Sequence, residues 1–146
     1  MKKVFFLCMV LATLTAFSFN EVKAQSLPSQ VTFTGASSTV AKTTLTNTDT
    51  AIGLIRLAGN YDVVTIQAIV NKTSGTVGGT VLLQASLDGT NYDAVDSLVC
   101  SNQTVNFKHF KLGASNYYWY RLYYKTYGTQ VSTLSTYYVA RKQFGQ

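Results

Sequence analysis

Residues 61–87 read YDVVTIQAIVNKTSGTVGGTVLLQASL. Over residues 61–71, Val64, Ile66, Ala68 and Val70 alternate with Val63, Thr65, Gln67 and Ile69. A period of two is the mark of a strand with one buried face, and the even set is expected to be that face. Residues 80–87 repeat the pattern. Val81, Leu83, Ala85 and Leu87 share one side, and Thr80, Leu82, Gln84 and Ser86 share the other. The Gly/Ser/Thr stretch between them, residues 72–79, reads as a loop, so the two runs are expected to form a hairpin with a long connection. Asp88-Gly89 closes the segment with a strong turn signal, because glycine accepts a positive φ.

The same pattern continues in both directions. Residues 39–46 and 51–57 read as strands around the polar turn Asn47-Thr48-Asp49-Thr50, and Ala58-Gly59-Asn60 is a further turn. Short strands are expected at 92–95 and 97–101, flanking Asp96, and at 103–110 with Val105 and Phe107 inward. Leu112-Gly113-Ala114-Ser115 turns into a strand at 117–125, and Tyr127-Gly128 turns into a last strand at 131–141. Turn signals every ~8–12 residues mark a sandwich. The fold class is therefore all-β: a single antiparallel β-sandwich, jelly-roll or Ig-like, of about eight or nine short strands. Composition agrees. The chain from residue 25 holds eighteen Thr and ten Tyr, residues that suit pleated, half-buried surfaces.

Residues 1–24 carry a different signal. Lys2 and Lys3 precede an apolar run over residues 4–19, and Val22-Lys23-Ala24 places small residues where a signal peptidase cuts. This order is that of a secretory signal peptide, and the run is short of the ~20 residues a membrane-spanning helix needs. Cleavage is expected after Ala24. An extended arm at 25–38, with Pro28 breaking any helix, then enters a β-sandwich domain at 39–146. The expected location is secreted or at the cell surface, with no membrane span after cleavage.

From residue 25 onward the chain has nine Lys or Arg, five Asp and no Glu, a net charge of +4. No basic stripe is clustered enough for nucleic acid, so that partner is not expected. Cys100 is then the sole cysteine, which excludes an internal disulfide and reads as a buried thiol. His109 is the sole histidine and lies beside Phe107 and Phe110. No Gly-x-Ser-x-Gly elbow accompanies it, and a zinc site built on several His or Cys is impossible. Glycosidases need two placed carboxylates, and three of the five Asp fall in one turn-rich loop. An enzyme is not expected, and no cofactor is implied.

Two groups stand out as candidate sites. In the run 116–125, NYYWYRLYYK, strand alternation puts Tyr118, Tyr120, Leu122 and Tyr124 on one side and Tyr117, Trp119, Arg121, Tyr123 and Lys125 on the other. The first set lacks charge and should pack inward. The second joins flat rings to two cations, which suits a protein partner or sugar rings. Cross-strand aromatic pairing that only stabilises the sheet is the structural alternative. Asp88, Asn91, Asp93 and Asp96 form the second group, a weak candidate for calcium. They offer oxygens but not the spacing of the helix–loop–helix calcium motif. Asn71-Lys72-Thr73 and Asn102-Gln103-Thr104 match the N-glycosylation pattern. Asp49-Thr50-Ala51 and Asp96-Ser97-Leu98 resemble the short O-glycosylation motif of Bacteroidetes.

Residues 75–92, GTVGGTVLLQASLDGTNY, followed by Tyr117-Tyr118-Trp119-Tyr120-Arg121 and the final strand, resemble small β-sandwich structural proteins of tailed phages and prophages. The signal ending Val22-Lys23-Ala24-Gln25 looks like those of Bacteroidetes secreted proteins. The resemblance covers the last ~85 residues and implies a virion or surface module without catalytic residues to carry over. The expectation is a secreted, non-enzymatic structural or adhesive protein working through protein contacts or self-assembly. The alternative is a carbohydrate-binding module using the face of Tyr117, Trp119, Arg121, Tyr123 and Lys125 on a surface glycan.

Overall fold

The computed structural model describes residues 29–31, 33–35, 44–59 and 61–142. The signal at 1–24, most of the strand expected at 39–46, and parts of the arm lie outside those residues. Ten strands are present among them: β1 (Ser29–Gln30), β2 (Phe33–Gly35), β3 (Thr44–Thr46), β4 (Thr50–Arg56), β5 (Val63–Gly75), β6 (Gly78–Ser86), β7 (Asp93–Cys100), β8 (Val105–Leu112), β9 (Trp119–Tyr127) and β10 (Gln130–Arg141). All pairings are antiparallel. Sheet A runs β1-β10-β5-β8, with β3 also on β10, and sheet B runs β2-β4-β9-β6-β7. Their inner faces share one apolar core. Val64, Ile66, Val70, Phe110 and Leu134 come from sheet A, and Ile55, Val81, Leu83, Tyr120, Leu122 and Tyr124 from sheet B. The protein is an antiparallel β-sandwich.

Alternation places the core as expected at its centre. Val64, Ile66, Ala68 and Val70 are fully buried, as are Val81, Leu83 and Ala85. The expected hairpin between these two strands does not exist. β5 pairs with β10 and β8 in sheet A, and β6 pairs with β9 and β7 in sheet B. The residues read as a long loop are mostly strand, because β5 extends to Gly75 and β6 begins at Gly78. At Gly75, φ is +72°, and a Cβ there would lie on the Thr129 carbonyl oxygen, so only glycine lets the chain leave sheet A at that point. Val77, buried at 2 % exposure, then crosses between the layers. Among the described strands, β6 and β7 are the one pair of chain neighbours that bond directly to each other.

Other expectations fail at sheet edges and element ends. Val105 and Phe107 face solvent, at 43 % and 61 % exposure, while Asn106, Lys108 and Phe110 point between the layers. Phe110, fully buried in the core, favours this phase, and so do polar contacts at the open side of the sandwich. Asn106 Oδ1 accepts from Ser101 N at 3.0 Å, and its Nδ2 donates to Ser101 O at 2.9 Å. Lys108 Nζ reaches Asp96 Oδ1 on β7 at 2.6 Å. Both β7 and β8 are edge strands, and an inward-pointing charge on an edge discourages pairing with a further strand. The two short strands expected around Asp96 are one strand. Its register shifts between Leu83 and Gln84 of β6, leaving Val95 as a bulge. Leu87, placed by alternation on the side of Val81, Leu83 and Ala85, is 65 % exposed, because β6 ends at Ser86 and the Asp88 turn follows. Within the stretch read as an arm, β1 adds to sheet A and β2 to sheet B.

Candidate functional site

β9 is the centre of sheet B, between β4 and β6, and its outer row is Trp119, Arg121, Tyr123 and Lys125. Register fills the rows on either side. Arg56 and Ser86 oppose Trp119, Leu54 and Gln84 oppose Arg121, Ile52 and Leu82 oppose Tyr123, and Thr50 and Thr80 oppose Lys125. Four of the five residues singled out in the aromatic run therefore share one surface. Tyr117 does not join them. It precedes β9, is half-buried, and packs edge-on against Tyr120 with centroids 6.2 Å apart. Tyr118, expected to pack inward, is instead 47 % exposed. The strand starts only at Trp119, so alternation does not extend back through the preceding turn.

Cations cover the aromatic faces. The Arg56 guanidinium carbon lies 4.9 Å from the centroid of Trp119, and that of Arg121 lies 4.0 Å from the centroid of Tyr92. Arg121 Nε also donates to Gln84 Oε1 at 2.7 Å. Burial raises the Tyr92 hydroxyl above the ordinary tyrosine range, with Arg121 opposing the shift. Gly89 passes close beside Trp119: a Cβ there would sit 3.0 Å from Cε2 of the indole. The ring is thereby held between the β4 cation and the β6–β7 turn.

An open cleft of about 510 Å³ lies at this end of sheet B, lined by Arg56, Leu57, Ala58, Leu87, Tyr118 and Trp119. Ligand sites typically combine an apolar wall with a few placed polar groups at volumes of about 300–1,000 Å³. Arg56, Tyr118, Leu87 and Tyr92 were not singled out in the sequence. No local signal marks Arg56, which meets Trp119 only through the β4–β9 register. A second, smaller cavity of about 220 Å³ is lined by Val95, Lys111, Leu112, Tyr117 and Tyr120, among others.

The residues of the calcium candidate are engaged separately. Asp88 accepts from Ser86 Oγ at 2.8 Å, from the backbone N–H groups of Thr90 and Asn91 at 2.8 Å each, and from Asn91 Nδ2 at 2.7 Å. Those donors, the Asn91 N–H first, hold its carboxyl far below the usual carboxylate range. Asp96 is likewise lowered, chiefly by its hydrogen bond from Lys108. Asp93 begins β7. No cluster of three or more His, Cys, Asp or Glu occurs among the described residues. Asp88 and Asn91 build a turn, and Asp96 makes an edge contact.

Cys100 is buried at 3 % exposure, and burial pushes its thiol up to about 11. It stays protonated at neutral pH and is a poor nucleophile. His109 faces outward on β8, its ring edge-on to Phe107 at 6.0 Å. No helix among the described residues is long and apolar enough to cross a membrane.

No protein-family model matches this chain, and no curated protein matches it. Among solved structures, one titled "Family 16 Carbohydrate Binding Module-2" aligns with 75 % of this chain and 81 % of its own length, at 14 % identity and a TM-score of 0.38.

Proposed function

We propose that this chain is a non-enzymatic, exported binding module that takes a carbohydrate chain in the cleft at the end of sheet B and along the adjoining face. The observation that carries the reading is the cleft wall. Tyr118 presents an exposed aromatic ring, Trp119 lines the wall beneath Arg56, Leu87 adds an exposed apolar side chain, and Arg56 supplies hydrogen-bond donors at the same opening. Sugars offer that mixture in reverse, with apolar C–H faces for aromatic rings and hydroxyls for a guanidinium. The signal-like residues 1–24 support export, and the likeness of residues 75–141 to phage sandwich proteins supports work at a surface.

Trp119 is the only tryptophan, so its emission reports on the cleft directly. Titration with a panel of oligosaccharides is expected to shift that emission, with matching heat in calorimetry. Trp119 also packs on Gly89, so the cleaner variant is Tyr118→Ala at an exposed ring. Loss of one stacked ring, about 1.4 kcal/mol, weakens binding roughly tenfold. If no oligosaccharide binds at millimolar concentration, the reading is wrong.

A protein partner is the second reading, and the outer face of sheet A favours it. Phe107 and Val105 lie exposed on edge strand β8 beside Ile69 of β5. Self-association that disappears in Phe107→Ser would support contact through that face. A monomer at all concentrations argues against self-assembly.

A further inference from the structure

We infer that the sugar chain bound on sheet B is acidic, its anionic groups received by the stacked guanidinium groups of Arg56 and Arg121; this rests on the carbohydrate reading above. The three central strands of sheet B, β4, β9 and β6, contain no Asp or Glu. Their three cations, Arg56, Arg121 and Lys125, all stand on the outer face. Two carboxylates border this face: Asp88 acts on Tyr92 beside Arg121, and Asp49 precedes Thr50 at the Lys125 end. Asp88 is saturated by donors inside its turn, and Asp96 is paired with Lys108 at the far edge. The central strand of the face itself thus carries positive charges only.

Two of the cations are oriented before any ligand arrives. Arg121 lies on the Tyr92 ring and donates Nε–H to Gln84, so Nη1 and Nη2 are the donors it has for a ligand. Arg56 lies over Trp119 at the mouth of the cleft. Stacking on an aromatic ring fixes the plane of a guanidinium, and a fixed plane suits bidentate contact with a carboxylate or sulfate. Arg56 is two residues along β4 from Leu54, the partner of Arg121, so the two guanidinium-bearing residues are diagonal neighbours about 7–8 Å apart. Lys125 follows about 13 Å further along β9. A linear ligand leaving the cleft along β9 passes all three in order. A neutral chain would leave these donors to hydroxyls alone, whereas acidic units along the chain give each a charged partner.

The test uses the full chain and four probes of similar length: an oligogalacturonate, a sulfated oligosaccharide, a neutral gluco-oligosaccharide and a single-stranded oligo-dT. The oligogalacturonate or the sulfated probe is expected to bind at least tenfold more tightly than the neutral one. That advantage should shrink as salt rises from 50 to 500 mM. Arg56→Gln and Arg121→Gln are each expected to lose most of the preference while near-UV circular dichroism stays native, and Arg121→Lys should recover only part of it, since lysine has charge without the planar fork. Equal or tighter binding of the neutral probe overturns the inference and leaves the carbohydrate reading standing. Equal binding of oligo-dT also overturns it, because the face would then be reading charge alone. If none of the three sugars binds, the carbohydrate reading itself falls.

Discussion

Replacing Gly89 by alanine tests whether the Asp88 turn and Trp119 form one unit. Gly89 has φ +75°. A residue with a Cβ pays roughly 1–2 kcal/mol to adopt that left-handed conformation. Its Cβ would meet the indole at 3.0 Å, closer than ordinary contact, so Trp119 must shift by a few tenths of an ångström. Reduced freedom of the unfolded chain returns about 0.4–1 kcal/mol. The two backbone effects net to about 0–1.6 kcal/mol and the displaced indole adds to them, so the expectation is a loss of about 1–2 kcal/mol, or roughly 4–12 °C in melting temperature for a domain of this size. Gly113→Ala is the internal control. It has no positive φ and nothing within 4 Å of a built Cβ, so only the unfolded-chain effect applies and its stability should hold or rise. Urea unfolding followed by circular dichroism and by Trp119 emission gives both stabilities. The folded-state emission of Gly89→Ala should also move, as the ring leaves its seat. A Gly89→Ala protein as stable as Gly113→Ala would refute the reasoning about the turn. A stability loss with unchanged emission would refute the contact with Trp119.

Three further outcomes follow from the core and the turn. The Tyr124 hydroxyl is buried beside Cys100 and Ser132 without a hydrogen bond of good geometry, and burial raises it above the ordinary tyrosine range. An unpaired buried hydroxyl costs about 1–3 kcal/mol, so Tyr124→Phe should leave stability unchanged or raise it by about 1 kcal/mol in urea melts. A loss above 1 kcal/mol would mean that the oxygen has a partner. Burial raises the Cys100 thiol from its ordinary 9.0 to about 11. Between those values the unfolded chain has released a proton that the folded chain keeps, so stability falls as pH rises past 9. Melts of Cys100→Ala should hold level until the tyrosines titrate. Asp88 works in the opposite direction. Its folded carboxyl stays ionised below 3.8, where the unfolded one takes up a proton, so its contribution is present above that value and fades as pH drops further. Asp88→Asn should flatten the acid limb of a melting profile below pH 4, and an unchanged limb would count against the turn's hydrogen bonds.

Much of the layering was legible in residues 61–87. Side chains of a strand alternate whatever the strand pairs with, so Val64 to Val70 and Val81 to Ala85 announced their buried faces before any partner was known. Gly89 announced its turn for the same local reason, and its φ of +75° is the conformation that glycine there implied. The aromatic run gave four of its five outward residues correctly as sharers of one face, since they lie within β9 or at its start. Tyr117 and Tyr118 depart from the sides that alternation predicts, because β9 starts only at Trp119 and the period of two does not apply before it.

The sequence by itself determined that this protein is a sandwich of alternating strands with an aromatic, cationic face. Tertiary structure alone decided which strands meet. Backbone hydrogen bonds are the same for any two extended segments, so nothing local separates the hairpin expected at 61–87 from the observed split, with β5 in one sheet and β6 in the other. The phase of β8 buries Phe110 rather than Phe107, with Asp96 and Ser101 holding Lys108 and Asn106 on the same inward side. Arg56 reached Trp119, and Arg121 reached Tyr92, through register and a turn that join residues distant in the chain. Alternation is a property of one strand, whereas a binding face needs several strands in register, and register is set by the whole core.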